Sequence, residues 1–131
     1  MKTLVVYFSK TGNTEKAAET LIEELGDCDH AVLTYDEKAE TYGGAVDPSD
    51  YERVFLLCPI WAFSLAVPMK MYLKEYGKSI KSYSLIVTYS LFGLRGCVSN
   101  CVRAIGKPPV KAISIKGKCI KAENFDIKPA L

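Results

Sequence analysis

Apolar positions along the chain alternate between two periods. TLVVYF (residues 3–8) is continuously apolar, β-branched or aromatic, the pattern of a central parallel strand covered on both faces. From Asn13 or Thr14 the apolar positions Ala17, Ala18, Leu21, Ile22 and Leu25 recur at helical spacing, and Gly26 supplies a stop. HAVLTY (30–35), RVFLLCPI (53–60), YSLIVTY (83–89) and VKAISI (110–115) read as further strands. Pro59 cannot donate to a ladder and is expected to mark the end of the middle one. Pro68 opens a helix with Met69, Tyr72, Leu73 and Tyr76 on one face and Gly77 at its close. Cys97, Val98, Cys101, Val102 and Ile105 make another, ending at Gly106. Residues 36–50 contain adjacent glycines and a proline and predict a loop with at most a short helical piece.

Crossovers of this length force parallel pairing, and right-handed crossovers on both sides of a sheet give a three-layer α/β sandwich with five strands. The 131 residues are expected to form a single domain, 1–131. Residues 116–131 have no helical apolar stripe and predict a non-helical tail. One sheet face would then be covered by that tail folding back, by an extra edge strand, or by a second subunit. The last option makes a homodimer an expected assembly.

Composition changes this picture little. Seventeen Lys and Arg against fifteen Asp and Glu leave a net charge of +2, with lysines crowded into the later half. They alternate with apolar residues along a strand, the pattern of a solvent face, and no arginine-rich helix accompanies them, so nucleic-acid binding is not expected. The start, MKTLVVYF, lacks the core and cleavage region of a signal peptide, and no segment approaches a membrane span. A cytoplasmic location, with no membrane partner, is the expectation. Five cysteines and one histidine have no zinc or iron–sulphur spacing, so no metal is expected. Cys97 and Cys101, four apart on one helix face, read either as a redox pair or as small residues packing the helix on the sheet.

The chemistry of an open parallel sheet collects at the carboxyl ends of its strands, near the reversal of strand order. Three strand tips are distinctive here. The first is Ser9, Lys10, Thr11, Gly12, Asn13 and Thr14: three hydroxyls, an amide and a glycine immediately before a helix whose first turn has free N–H groups. That is a phosphate cradle, or more simply a capped turn. It has one glycine and an early lysine, so neither the triphosphate loop nor the dinucleotide fingerprint fits, and a single terminal phosphate suits its size. The second tip, Pro59, Ile60, Trp61, Ala62 and Phe63, places two large aromatics in a loop, where an indole plane suits stacking on a flat heteroaromatic. The third offers Thr88, Tyr89, Ser90, Phe92 and Gly93.

At these residues the chain resembles the flavodoxin family. The family's Ser/Thr-x-Thr-Gly-Asn-Thr loop matches Ser9, Thr11, Gly12, Asn13 and Thr14. The resemblance spans about residues 2–115 and implies a strand order of 2-1-3-4-5. It also implies that the first tip grips the 5'-phosphate of FMN. Residues 59–63 and 88–93 would flank the isoalloxazine ring. Familiar flavodoxins are strongly acidic around the flavin, whereas neither ring loop here carries a carboxylate, and Arg95 follows the third loop directly. The resemblance implies an electron carrier for a redox protein partner. The alternative is a small NAD(P)H-dependent reductase passing electrons to a quinone or similar acceptor, and a flavin-free regulatory module comes third. A phosphotransfer receiver would need acidic residues where Tyr7, Phe8 and Ser9 stand, and a hydrolase would need a histidine or paired carboxylates at the tips. No residue is expected to be catalytic in its own right.

Overall fold

The computed structural model describes residues 2–131. β1 (Thr3–Tyr7) is buried along its whole length and α1 (Asn13–Leu25) returns from it to β2 (Asp29–Val32). β3 (Thr34–Asp36) and β4 (Thr41–Gly43) form a small antiparallel hairpin. β5 (Arg53–Trp61) re-enters the sheet and turns back through β6 (Ser64–Leu65). α2 (Val67–Tyr76), β7 (Tyr83–Tyr89), α3 (Leu94–Ile105), β8 (Ala112–Lys116) and α4 (Gly117–Lys121) complete the order. The five parallel strands lie as β2-β1-β5-β7-β8, which is the expected 2-1-3-4-5. Among the described residues no helix is long and apolar enough to cross a membrane.

Alternation within each strand builds two cores. Leu4, Val6, Leu56 and Leu85 face the layer of α2 and α3, where they meet Met69, Tyr72, Cys97 and Cys101. Val5, Tyr7, Phe55 and Ile86 face α1, meeting Ala17, Ala18 and Leu21. Both faces of the central strands are therefore dry, which is why their sequences read as unbroken apolar runs.

The structure corrects the expected boundaries in three places. The second strand breaks at Leu33, whose N–H donates to the Tyr7 carbonyl at 2.7 Å, and the expected loop at 36–50 holds half of the β3–β4 hairpin. Asp36 Oδ1 accepts from the N–H groups of Lys38 and Ala39 and so initiates the turn. Gly44, at φ +82°, closes the segment where a Cβ would stand 2.0 Å from the Val32 carbonyl oxygen. Secondly, Pro59 does not end β5. The strand runs two residues further because its last pairs are made with β6, Ile60 opposite Leu65 and Trp61 opposite Ser64.

The third correction concerns the tail, which is not entirely non-helical. It contains α4 and a single 3-10 turn at Lys128–Ala130, an element too short to show an apolar period in sequence. Ile120, Ile127 and Ala130 are buried in the core beneath α1, and the Arg53 guanidinium donates to the Leu131 carbonyl at 3.2 Å. The open face that motivated a second subunit is thus covered within the chain. Because Ile120 is fully buried there, Ile120→Ala is expected to cost about 2–5 kcal/mol, read as a lowered denaturant midpoint with unchanged slope.

Candidate functional site

The reversal of strand order falls between β1 and β5, and the three tips meet above it. At the first tip the Gly12 N–H donates to Ser9 Oγ at 3.1 Å, and Gly12 adopts φ +95°, a left-handed conformation natural to glycine. No side chain caps α1. Its first-turn N–H groups therefore face outward at the positive end of the helix, with Thr11 exposed beside them.

Thr14 plays a different part from the one its place in the motif implies. Its side chain is buried, and its hydroxyl shares a 2.7 Å hydrogen bond with that of Thr88. This bond ties the first tip to the third. Lys10 turns the other way, toward Trp61. Its Nζ pairs with Glu37 Oε1 at 2.7 Å and stands 5.4 Å from the centre of the Trp61 ring.

Two adjoining clefts share Ile60, Trp61 and Ser90. One, about 550 Å³, runs from Thr11 and Asn13 past Pro59, Thr88 and Tyr89. The other, also about 550 Å³, is walled by Lys10, Ala62, Phe63 and Phe92. Trp61 lies between them, half-buried, edge-on to Phe8 with ring centres 5.4 Å apart and tilted against Tyr35 at 6.3 Å. Phe63, Leu91 and Phe92 are 57%, 66% and 78% exposed, with the two phenyl rings 6.0 Å apart. The result is an apolar rim around an aromatic floor, with the uncapped, glycine-led start of α1 at the far end.

The second tip is a two-residue hairpin turn in which Ala62 and Phe63 both have positive φ, 51° and 65°. That conformation normally favours glycine or asparagine, and non-glycine residues there store about 1–3 kcal/mol each. The turn is held from behind by α3. A Cβ on Gly96 would stand 2.1 Å from the Phe63 carbonyl oxygen, and one on Gly93 would stand 2.9 Å from the Ile60 side chain. Both glycines are close-approach positions.

Some residues entered the site without a sequence signal. Gly117, Lys118 and Lys121 line the same cleft as Thr11 and Asn13, because α4 follows β8 directly across that end of the sheet. A Cβ on Gly117 would come within 2.9 Å of Asn13 Nδ2. Glu37 lines the cleft of Trp61, Phe63 and Phe92, so a carboxylate does reach this region, delivered by the β3–β4 hairpin rather than by the second or third tip. Arg95 is exposed in the first turn of α3 and lines neither cleft. The Cys97 and Cys101 thiols are free and buried, and burial pushes their pKa values up to about 11 and about 12. Such thiols carry almost no thiolate at neutral pH, which fits packing residues rather than a reactive pair. Among the described residues no cluster of His, Cys, Asp and Glu could hold a metal ion.

No family model matches the chain. Among solved structures it is similar to a flavoprotein from Lactobacillus acidophilus NCFM in complex with FMN, at 17% identity and TM-score 0.72, covering 93% of this chain and 97% of that one. It is also similar to a flavodoxin from the domain Archaea, at 21% identity and TM-score 0.59, covering 97% and 96%. A Fusobacterium nucleatum flavodoxin bound to flavin mononucleotide matches at 18% identity and TM-score 0.60, covering 86% and 70%. The fold is flavodoxin-like. In this flavodoxin-like chain the strand order and the switch point stand as the resemblance in the sequence implies.

Removing one partner of the Thr14–Thr88 bond leaves a buried hydroxyl unpaired. Thr14→Val and Thr88→Val are each expected to cost about 1–3 kcal/mol, and the double variant less than their sum, because it strands no hydroxyl. A chemical-denaturation cycle over the four proteins checks this.

Proposed function

We propose that this chain binds FMN across the two clefts and serves as a flavodoxin-like electron carrier. The observation that supports this most directly is the continuity of one surface, from the uncapped, glycine-led start of α1 to the half-buried indole of Trp61. The residues fit the cofactor at both ends. A phosphate dianion suits the outward N–H groups of α1, the Thr11 hydroxyl and the two lysines of α4. A planar ring suits the Trp61 indole and the walls supplied by residues 59–63 and 88–93.

Bound there, FMN supplies the redox chemistry, and the protein supplies position and electrostatics. In this reading Trp61 presents its indole to the ring. The Phe63 turn, braced on Gly96, fixes one wall, and the Thr14–Thr88 bond keeps the phosphate end in register with the other. The exposed Phe63, Leu91 and Phe92 leave an apolar edge against which a redox partner packs. The FMN-containing neighbours support the cofactor reading.

The test begins with the absorption spectrum of freshly purified protein and the mass of any released cofactor. Flavin bands and the mass of FMN are expected. Protein that neither carries FMN nor takes it up when titrated would overturn the reading. Stopped-flow mixing of the loaded protein with NADH and NADPH then distinguishes the roles: a carrier is reduced slowly by both, whereas rapid reduction by either identifies a reductase.

Two substitutions separate the ends of the site. Lys118→Gln with Lys121→Gln is expected to weaken FMN about tenfold, because exposed charges contribute roughly 1 kcal/mol or less each, and to leave riboflavin unchanged. Trp61→Ala is expected to weaken both flavins by about 1–3 kcal/mol, the range for a flat base stacked on an aromatic side chain. Fluorescence titration at two salt concentrations reads both, and only the lysine effect is expected to shrink with added salt.

A further inference from the structure

A groove of about 370 Å³ runs between α2 and α3 on the face of the sheet away from α1. Its floor is apolar, with Leu65 and Leu73 buried and Ala104 beside them. Its rim is formed by Lys70, Lys74, Lys78 and Arg103. Lys70 and Lys74 are one helical turn apart on α2, Lys78 follows in the single 3-10 turn Gly77–Ser79 just past the helix end, and α3 supplies Arg103.

Lys70 and Lys74, four apart on α2, repel one another, and only the helix dipole at Lys74 in the last turn works against that repulsion. Among the described residues none of the four cations forms an ion pair. α3 has no acidic residue. The one carboxylate of α2, Glu75, accepts the Tyr42 hydroxyl hydrogen bond from the β3–β4 hairpin. Arg103 donates to Ser99 Oγ at 3.1 Å and remains exposed.

The groove is also built into the fold. Gly77 sets the spacing of its lower end, where a Cβ would stand 2.8 Å from the Ala104 carbonyl oxygen. At the upper end Asn100 Oδ1 accepts from the Leu65 N–H at 3.1 Å. That bond fixes β6, whose hairpin partner strand and turn carry Trp61, Ala62 and Phe63.

From this geometry we infer that the α2–α3 groove docks an acidic segment of a partner protein, with carboxylates against Lys70, Lys74, Lys78 and Arg103 and an apolar side chain on Leu73 and Ala104. Charge complementarity selects an acidic occupant, and the apolar floor selects a polypeptide. Nucleic acid is disfavoured because no aromatic side chain lines the groove for a base to stack on. A partner held here lies beside the hairpin that walls the ring cleft. The inference does not rest on flavin binding.

The test uses the full chain without flavin, so its failure is distinct from failure of the FMN reading. A fluorescein-labelled peptide of repeating Glu-Glu-Leu is titrated by anisotropy, and amide chemical shifts are followed in parallel. The expected shifts cluster on Leu65, Lys70, Lys74, Asn100 and Arg103, and the affinity falls with added salt. Lys74→Glu with Arg103→Glu is expected to weaken binding about 30-fold or more. Lys111→Glu with Lys128→Glu, the same change in net charge outside the groove, is expected to leave it within about threefold. All four residues are exposed, and the amide spectra verify that each variant keeps its fold. Equal losses in the two double variants would overturn the inference, as would shifts spread over all lysines. Tighter binding of a single-stranded oligonucleotide in the same groove would replace the protein partner with nucleic acid.

Discussion

Parallel pairing of β1 with β5 is the constraint on which the rest of the molecule depends. Parallel neighbours cannot be joined by a tight turn, so each crossover must pass over a face of the sheet, and each face must be buried. The chain meets that requirement unequally. α2 and α3 cover one side with two full helices. α1 covers the other only in part, and Ile120, Ile127 and Ala130 of the tail complete it. The same pairing places every strand-to-helix tip at one edge, with the reversal of order between β1 and β5. The cleft is a consequence of how the sheet is wound.

The tips are then joined by contacts specific to this chain. The Thr14–Thr88 hydrogen bond links the turn after β1 to the end of β7 across β5. Gly96 lets the first turn of α3 press against the Phe63 carbonyl, which holds Ala62 and Phe63 in a conformation they would not adopt alone. The Lys10–Glu37 pair draws the β3–β4 hairpin toward Trp61. That pair is exposed and contributes little stability, but it sets which charges surround the Trp61 cleft. Rigidity thus comes from the buried contacts, and the local charge balance from the exposed ones.

Charge is distributed by face. Lys118 and Lys121 line the cleft at the start of α1, while Lys70, Lys74, Lys78 and Arg103 edge a separate groove. A net charge of +2 conceals both concentrations, because the fifteen acidic residues lie mostly elsewhere, on α1 and the 36–52 segment among other places. Field strength at a site depends on which charges share a cavity, and the overall sum carries no such information.

The sequence by itself determined the parallel sandwich, since unbroken apolar runs alternating with 3.6-period helices admit few other packings. It also pointed to the three tips, because a hydroxyl-rich turn opening a helix and aromatics at the ends of apolar runs are local signals. Strand pairing and charge placement were decided only in three dimensions. Whether β5 stopped at Pro59 depended on a partner, β6, that contributes just two residues. The hairpin at 34–43 depended on one aspartate-initiated turn and on the room that Gly44 leaves for Val32. The buried role of Thr14 was hidden because a hydroxyl in a motif looks the same whether it faces a ligand or Thr88, 74 positions away. Glu37, Lys118 and Lys121 carry no local pattern at all. Long-range contacts bring them to the clefts, and sequence periodicity reports only which face a residue is on, never what stands opposite it.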